Sequence, residues 1–525
     1  MNFLINFKKN YFFYFFFIFV LIGIYYSLQT GITHDEQYDF QVWKANQNVI
    51  LNTFFNRNLD TSFLVGGSKF YGSGFHLLSF PIEYIIQKLP FIKNYDDETK
   101  ILLSKHSSVF IFFVISSLFF RKILKIISGS SLCSNIGSIF YLLYPYLLGH
   151  SFFNVKDIPF LTIWLICTYL IIKISKMFIE NGKFKKKHII LLSLFTAYLL
   201  SIRISGILIF AQYLVFFLVT ANLLGTNIFK FLKKYFREII MFYILFVSCF
   251  ILISPNYWED PLQFINAIKF MSQHLQTVCT VTLGECMKAQ NLPATYIPIW
   301  IFFKLPLLIL FGLFLYPFVE KRIEKNSLFL TTIHSIILSL LLIIALLIIF
   351  NVNLYDEIRQ IMFLLPLIII ISFSLIFKFS KNFFIISTSF FIIFFIIQNI
   401  KIYPYNYIWI NNFSHLTKVN DIFELDYWGV ASKPIAKYIK KDSKNINECI
   451  VTVRSNGIKS FMTDGQCIMK FSELHKKINR PFYVSLTERS LKKGTPNNCR
   501  LIYSEKINMN FSNEELNLAK LYKCD

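Results

Sequence analysis

Residues 11–36 read YFFYFFFIFVLIGIYYSLQTGITHDE. The apolar run to about Leu28 is long enough for a membrane-spanning helix, which needs about 17–25 residues. Lys8 and Lys9 precede it, and no small-x-small cleavage pattern follows, so it reads as an uncleaved signal anchor. Two adjacent carboxylates, Asp35 and Glu36, stand just past its far end. An acidic pair at the water-facing end of a first span suits acid–base or cation chemistry at a membrane surface.

The rest of the chain keeps this character. Of 525 residues, 55% are hydrophobic and 16% charged, with a mean hydropathy of +0.52. Soluble domains carry about 25% charged residues. The pattern predicts a polytopic all-α membrane protein; a barrel would show short alternating segments. The 62 phenylalanines, with abundant Ile, Lys and Asn, reflect an AT-rich coding bias and say little about function. A net charge of +23 invites a nucleic-acid reading. The Lys and Arg residues cluster between spans, where membrane topology places them, so no nucleic-acid partner is expected.

Eleven spans are expected, at 11–29, 103–120, 132–149, 158–177, 188–202, 204–222, 239–255, 299–318, 328–350, 360–377 and 383–400. Basic clusters fall at Lys8/Lys9, Arg121/Lys122/Lys125, Lys183/Lys185/Lys186/Lys187, Lys230/Lys233/Lys234/Arg237, Lys321/Arg322/Lys325 and Lys378/Lys381. With this span count every cluster lands on the N-terminal side, which makes that side cytoplasmic. The parity requires 188–222 to be two short spans joined at Arg203 rather than one long helix. Segment 76–90, short, apolar and interrupted by Pro81 and Glu83, reads as an interfacial helix on the outer face.

Three pieces then lie outside: loop 30–102, loop 256–298 and the tail 401–525. The second loop carries Phe264, Ile268, Met271 and Leu275 at helical spacing. The tail mixes helical signals (433–441, 513–523) with strand-like runs (449–454, 481–486, 500–503), predicting a small α/β domain after a membrane domain of residues 1–400. Cys279 and Cys286 share the second loop, and Cys449, Cys467, Cys499 and Cys524 share the tail. Even numbers on an oxidising side predict one loop disulfide and up to two in the tail. Cys133, Cys167 and Cys249 lie in spans as inert filler.

Charged residues gather at the outer ends of the spans: Asp35 and Glu36, then His150, Lys156 and Asp157, then Arg203, Glu259 and Asp260, and finally Asp356, Glu357 and Arg359 beside Tyr355. Carboxylates and cations converging at one depth would handle a phosphate-bearing lipid, a carboxylate deprotonating an acceptor hydroxyl while Arg or Lys holds phosphate. His334 and His274 read as ordinary helix residues.

Several segments, in order along most of the chain, resemble the GT-C superfamily of polyprenyl-phosphate-sugar-dependent glycosyltransferases, specifically bacterial relatives of the dolichyl/polyprenyl-phosphate-mannose protein mannosyltransferases. Thr33-His34-Asp35-Glu36 resembles the acidic motif of the first outer loop, and Tyr71-Gly72-Ser73-Gly74-Phe75 the segment leading into the interfacial helix. The run from Gly149 to Phe160 is similar to a second-loop motif, with Val155 where relatives often have Pro. Leu292 to Trp300 resembles the lead into the following span. Leu354-Tyr355-Asp356-Glu357-Ile358-Arg359-Gln360 resembles a Tyr-Asp-Gly-x-Arg-His pattern, with Glu357 in place of Gly and Gln360 in place of His. Phe423 to Gly429 is similar to the start of the soluble tail.

The resemblance implies a GT-C bundle in a bacterial inner membrane, with interfacial helices in the first loop and a lateral opening for a lipid tail. It implies a donor hexose or pentose on a polyprenyl phosphate, an acceptor hydroxyl on a glycan, lipid or protein, and a single inverting displacement with Asp35 as base. Arg203, Arg359 and Lys156 would stabilise the leaving phosphate. His34, Tyr257 and Tyr355 would line the substrate site, with Tyr257 and Trp258 either stacking on sugar or lipid or forming part of an aromatic belt. Dependence on a divalent cation varies across the superfamily; Glu36 and Asp157 would orient groups or bind one. The alternative is a transporter or flippase of lipid-linked or anionic cargo. Transporters place ionisable residues near the midplane and show repeats; these spans hold few internal charges, glycine is only 18 of 525, and no repeat is visible.

Overall fold

The computed structural model describes residues 2–324, 327–416, 418–442, 448–453, 455–462, 465–471, 481–488, 496–510 and 512–524. Lys325 of the fifth basic cluster lies outside them. The first apolar run forms α1 (Asn2–Gln29). After an extended Thr33 the chain enters α2 (His34–Phe55), so the acidic pair opens a new helix. Glu36 sits at its third position and accepts the Thr33 backbone N–H at 2.7 Å, one arm of a capping box. Negative side chains in the first turn suit the positive end of the helix. The expected interfacial segment is α3 (Gly74–Ile86).

Next comes α4 (Asp97–Ser128), capped by Asp96, whose side chain accepts the Thr99 N–H at 2.9 Å. Then α5 (Ser131–Leu143) and α6 (Pro145–Ser151) meet at a 62° bend, where Tyr144 turns extended ahead of Pro145. Helices α7 (Asp157–Asn181), α8 (Lys186–Ile202) and α9 (Ile209–Leu223) follow. Arg203 has extended backbone (φ −148°, ψ 134°), and it divides 188–222 into two helices, as topology required. Helices α10 (Ile228–Lys234) and α11 (Phe236–Leu252) bend by 67°. The segment 256–298 holds α12 (Gln263–Ser272) and a hairpin of β1 (Cys279–Thr282) and β2 (Glu285–Lys288). Helices α13 (Tyr296–Lys304) and α14 (Leu307–Phe314) break by 114° at Leu305-Pro306, and α15 (Tyr316–Glu320) follows. The bundle closes with α16 (Leu328–Ile349), α17 (Leu365–Phe379) and α18 (Lys381–Ile402).

This is a multi-pass membrane protein. Among the described residues six helices are long and apolar enough to cross a bilayer, or nine if each bent pair is one span. The other two expected spans are helices as well: α4 runs 32 residues and carries Lys105 and His106, and α8 has 17. Helix α17 is almost wholly enclosed and forms the axis of the bundle, while α1 and α18 present exposed Phe, Ile and Tyr outward.

The tail runs through α19 (Val419–Ile422), α20 (Ser432–Asp442), β3 (Ile450–Thr452), α21 (Ser455–Lys459), β4 (Ile468–Lys470), β5 (Phe482–Thr487), β6 (Cys499–Ile507) and β7 (Leu516–Cys524). Its strands form a mixed sheet in the order β4-β3-β5-β7-β6, parallel around β3 and antiparallel around β7. The helix expected over 513–523 is a strand. Leu516 and Leu518 alternate with Asn517, and pairing on both edges with β5 and β6 overrides the helical preference of 514–520. The disulfides are Cys279–Cys286, Cys449–Cys467 and Cys499–Cys524, one in the loop and two in the tail.

Candidate functional site

A cavity of about 980 Å³ opens where α2, the start of α7, Arg203, the end of α12 and the 352–361 segment meet, with Trp428 of the tail on its wall. Two close backbone approaches shape it. A side chain on Gly72 would lie 2.3 Å from the Ser201 carbonyl oxygen, and one on Gly149 would lie 1.9 Å from the Tyr407 nitrogen. Only glycine lets the chain carrying Tyr71 pass over the end of α8, and lets α6 pass under the tail.

The floor is a network of opposite charges. Asp157, buried at the first turn of α7, is paired with Arg203 through one carboxylate oxygen. Its other oxygen faces Arg359 at 3.5 Å and accepts the Asn154 side-chain amide at 2.9 Å. Arg359 also binds Asp356 at 3.1 Å. One carboxylate thus holds two guanidiniums close together, against their mutual repulsion. Burial, with Arg359 alongside, brings the Arg203 guanidinium down to about 10, still protonated at neutral pH. The Arg359 guanidinium stands 4.6 Å from the Trp428 ring centre and 5.1 Å from that of Tyr355. Its Nε–H is buried and has no hydrogen-bond partner among the described residues. An unpaired buried donor costs about 1–3 kcal/mol, and an anionic ligand in the cavity would recover that.

The wall opposite is α2. Asp35 is half-buried, lines the cavity, and makes no hydrogen bond or ion pair among the described residues. Asp39, one turn on, is paired with Lys156. Burial raises the Asp39 carboxyl above its ordinary range and lowers Lys156, each pulled back by the other. The Lys156 ammonium lies 4.0 Å from the centre of the Tyr71 ring, and the Tyr71 hydroxyl is hydrogen-bonded to His274 Nε2 at 2.8 Å.

Of the residues singled out in the sequence, His34, Asp35, Glu36, Lys156, Arg203, Tyr355 and Arg359 all line this cavity. Asp157 lies beneath it and holds the arginines. Glu36 differs from its neighbour: one oxygen takes the Thr33 N–H and the other lies 2.6 Å from His106 Nε2. Its geometry is that of a brace for the start of α2 rather than a base. Tyr257 is not brought to the cavity; it is buried against Phe250 and Phe264. Trp258 hydrogen-bonds the Ile251 carbonyl and meets Phe54. The apolar α11–α12 corner absorbs both rings. As to a divalent cation, Glu36 and Asp157 already spend their oxygens on other partners. Among the described residues no three His, Cys, Asp or Glu side chains converge to hold a metal.

Sequence reasoning missed four contributors. Asp39 follows Asp35 by four residues, so it shares a helix face once 34–55 is read as helix. His274, read as an ordinary residue, faces the cavity because its backbone is held by the Asn353 amide at 3.3 Å. Trp428 arrives from the tail. Lys304, inside an apolar run, forms a wholly buried ion pair with Glu357 at 2.7 Å. Burial raises the Glu357 carboxyl above its ordinary range, and Lys304 pulls it back.

No protein-family model matches the chain, and no curated protein matches it. Among solved structures it is similar to ArnT from Cupriavidus metallidurans in the apo state, at 10% identity and a TM-score of 0.51, over 98% of each chain. The same protein bound to undecaprenyl phosphate aligns at 10% identity and a TM-score of 0.49, also over 98% of each chain. The chain has the ArnT fold. The likeness to the apo form supports the expected architecture, an all-α membrane bundle with a small C-terminal sheet domain. In this ArnT-like frame the motifs at residues 33–36, 149–160 and 354–360 meet at one cavity.

Proposed function

We propose that this protein is a membrane glycosyltransferase that moves a hexose or pentose from a polyprenyl-phosphate donor to an acceptor hydroxyl, with inversion. The observation that carries this reading is the carboxylate of Asp35, unpaired among the described residues, in the same cavity as Lys156, Arg203 and Arg359. The acceptor O–H gives its proton to Asp35 as its oxygen attacks the anomeric carbon. The bond from that carbon to the phosphate oxygen breaks, and its electron pair leaves with the phosphate. The donor diester carries one negative charge; the departing lipid phosphate carries up to two. Cations that face the phosphate therefore bind the transition state better than the ground state. A strong general acid is unnecessary, because the leaving group is already a stable anion.

The apolar side of the cavity, with Ile207, Leu208, Leu346, Leu347 and Phe350, suits a prenyl chain. Phe350 is 70% exposed, so this side reaches the lipid-facing surface. Residues 1–400 would form the catalytic membrane domain and 401–525 an extracytoplasmic cap over the site, with the N-terminus cytoplasmic in a bacterial inner membrane. The motif set favours the mannosyltransferase-like branch.

The test compares cells expressing wild type and Asp35→Asn at matched membrane levels, with mass spectrometry of polyprenyl-phosphate sugars and envelope glycans. The variant should accumulate a sugar-loaded lipid and lose one glycan mass, which also identifies the sugar. Identical profiles would remove Asp35 as the base and move cargo transport to the front.

A further inference from the structure

The cavity's phosphate grip rests on a short loop with an unusual backbone. Asp356 (φ +56°) and Glu357 (φ +64°) are consecutive non-glycine residues in the left-handed region, two positions before Arg359. L side chains avoid that region, so the surroundings must hold them there. Four tethers do so. The Asp356 N–H donates to Thr280 Oγ1 at 2.8 Å, and the Tyr355 N–H donates to Gln360 Oε1 at 3.2 Å. The Tyr296 hydroxyl donates to the Glu357 carbonyl at 3.0 Å. The Glu357 carboxylate meets Lys304 at 2.7 Å, both side chains being wholly buried.

Lys304 is the last residue of α13, at the 114° break before α14. Its Nζ also donates to the Trp409 carbonyl at 3.3 Å and lies 4.5 Å from the Tyr146 ring centre. The Asn411 amide, from the start of the tail, donates to the Phe302 and Leu305 carbonyls across the same break at 2.6 and 2.9 Å. A buried ion pair is a poor device for stability alone, since apolar replacements of similar volume are often neutral or stabilising. Its specific property is direction: a carboxylate on a fixed ammonium pulls Glu357 into one backbone conformation.

We infer that Lys304 and Glu357 are positioning residues for Arg359, aiming its guanidinium at the donor phosphate and linking that grip to the break between α13 and α14. The inference rests on the donor-binding reading above. The test measures binding of undecaprenyl phosphate to the full-length protein in detergent, which needs no turnover, together with thermal unfolding. Glu357→Gln and Arg359→Lys should each weaken binding about tenfold, and the double variant should bind no worse than about twofold below Arg359→Lys alone, because both act on one contact. Lys304→Met/Glu357→Gly removes both charges and supplies a residue at ease at positive φ; it should unfold near the wild-type temperature and still bind about tenfold more weakly. Multiplying effects in the first pair, or wild-type affinity in the second, overturns the positioning role. If the wild type itself fails to bind undecaprenyl phosphate, the donor reading falls first and this inference with it.

Discussion

The two faces of the cavity treat their carboxylates in opposite ways. On the floor, Asp157 and Asp356 are held by guanidiniums, and Glu357 behind them is locked to Lys304. On the α2 wall, Asp35 makes no hydrogen bond or ion pair among the described residues, beside the braced Glu36 and one turn before the paired Asp39. The floor carboxylates spend their oxygens on cations, whereas Asp35 faces the cavity with its oxygens open to an incoming hydroxyl. On the proposed reading, the floor holds and the wall reacts.

The largest effect should come from the reacting side. Asp35→Asn should lower transfer by about a thousandfold, within the range for loss of a general base, while undecaprenyl phosphate binding to the purified variant stays within a few-fold. A parallel loss of binding would erase the distinction between wall and floor. Next, Asp157→Asn leaves Arg203 and Arg359 close together without their shared counter-ion. Breaking a buried pair costs about 3–5 kcal/mol, so thermal unfolding should shift markedly and phosphate binding should weaken. A variant as stable as wild type would show that the floor is not held by this carboxylate.

Glu36→Gln sharpens the comparison at one residue's distance from Asp35. An amide oxygen can still accept the Thr33 N–H, so the change should cost about 1 kcal/mol and less than tenfold in rate. An effect as large as that of Asp35→Asn would make Glu36 a second reacting group.

The effect with the least bearing on transfer lies away from the cavity, in the tail. Glu488 accepts the Asp426 and Leu425 N–H groups at 2.6 and 3.1 Å, and burial, with Glu424 and Asp426 nearby, pushes its carboxyl up to about 8. Folded Glu488 therefore keeps a proton that the unfolded chain releases above about 4.5. Its contribution is full below that pH, falls as pH rises, and is gone above about 8, with a slope of at most about 1.4 kcal/mol per pH unit. Thermal unfolding of the full chain between pH 5 and 8 should lose part of its pH dependence in Glu488→Gln; an unchanged profile would show that Glu488 titrates normally.

The legibility of the molecule in its sequence follows the range of the forces involved. Spans are local: a run of apolar residues must bury its backbone polar groups in a helix wherever it sits in the bilayer. The expected spans were therefore readable from residue type, and the division at Arg203 from the parity of the basic clusters. Cysteine parity in two segments likewise gave one loop and two tail disulfides. Convergence was legible in the charges at the span ends and in the ordered motifs, and Asp35, Lys156, Arg203, Tyr355 and Arg359 all line one cavity. Partners were not. Nothing in Asp35-Glu36 says that His106 on α4 will claim the second carboxylate and leave the first alone. Lys304 looks like an anomaly in an apolar run until Glu357 meets it. Tyr257 reads as a sugar platform until Phe250 and Phe264 enclose it. The strand at 516–524 needed neighbours on both sides to outweigh its helical preference. By itself the sequence determined a multi-pass helical bundle with its acidic and basic groups at one end of the spans. Tertiary structure alone decided which of those charges neutralise one another and which carboxylate stays unpaired, because that depends on contacts between residues tens to hundreds of positions apart.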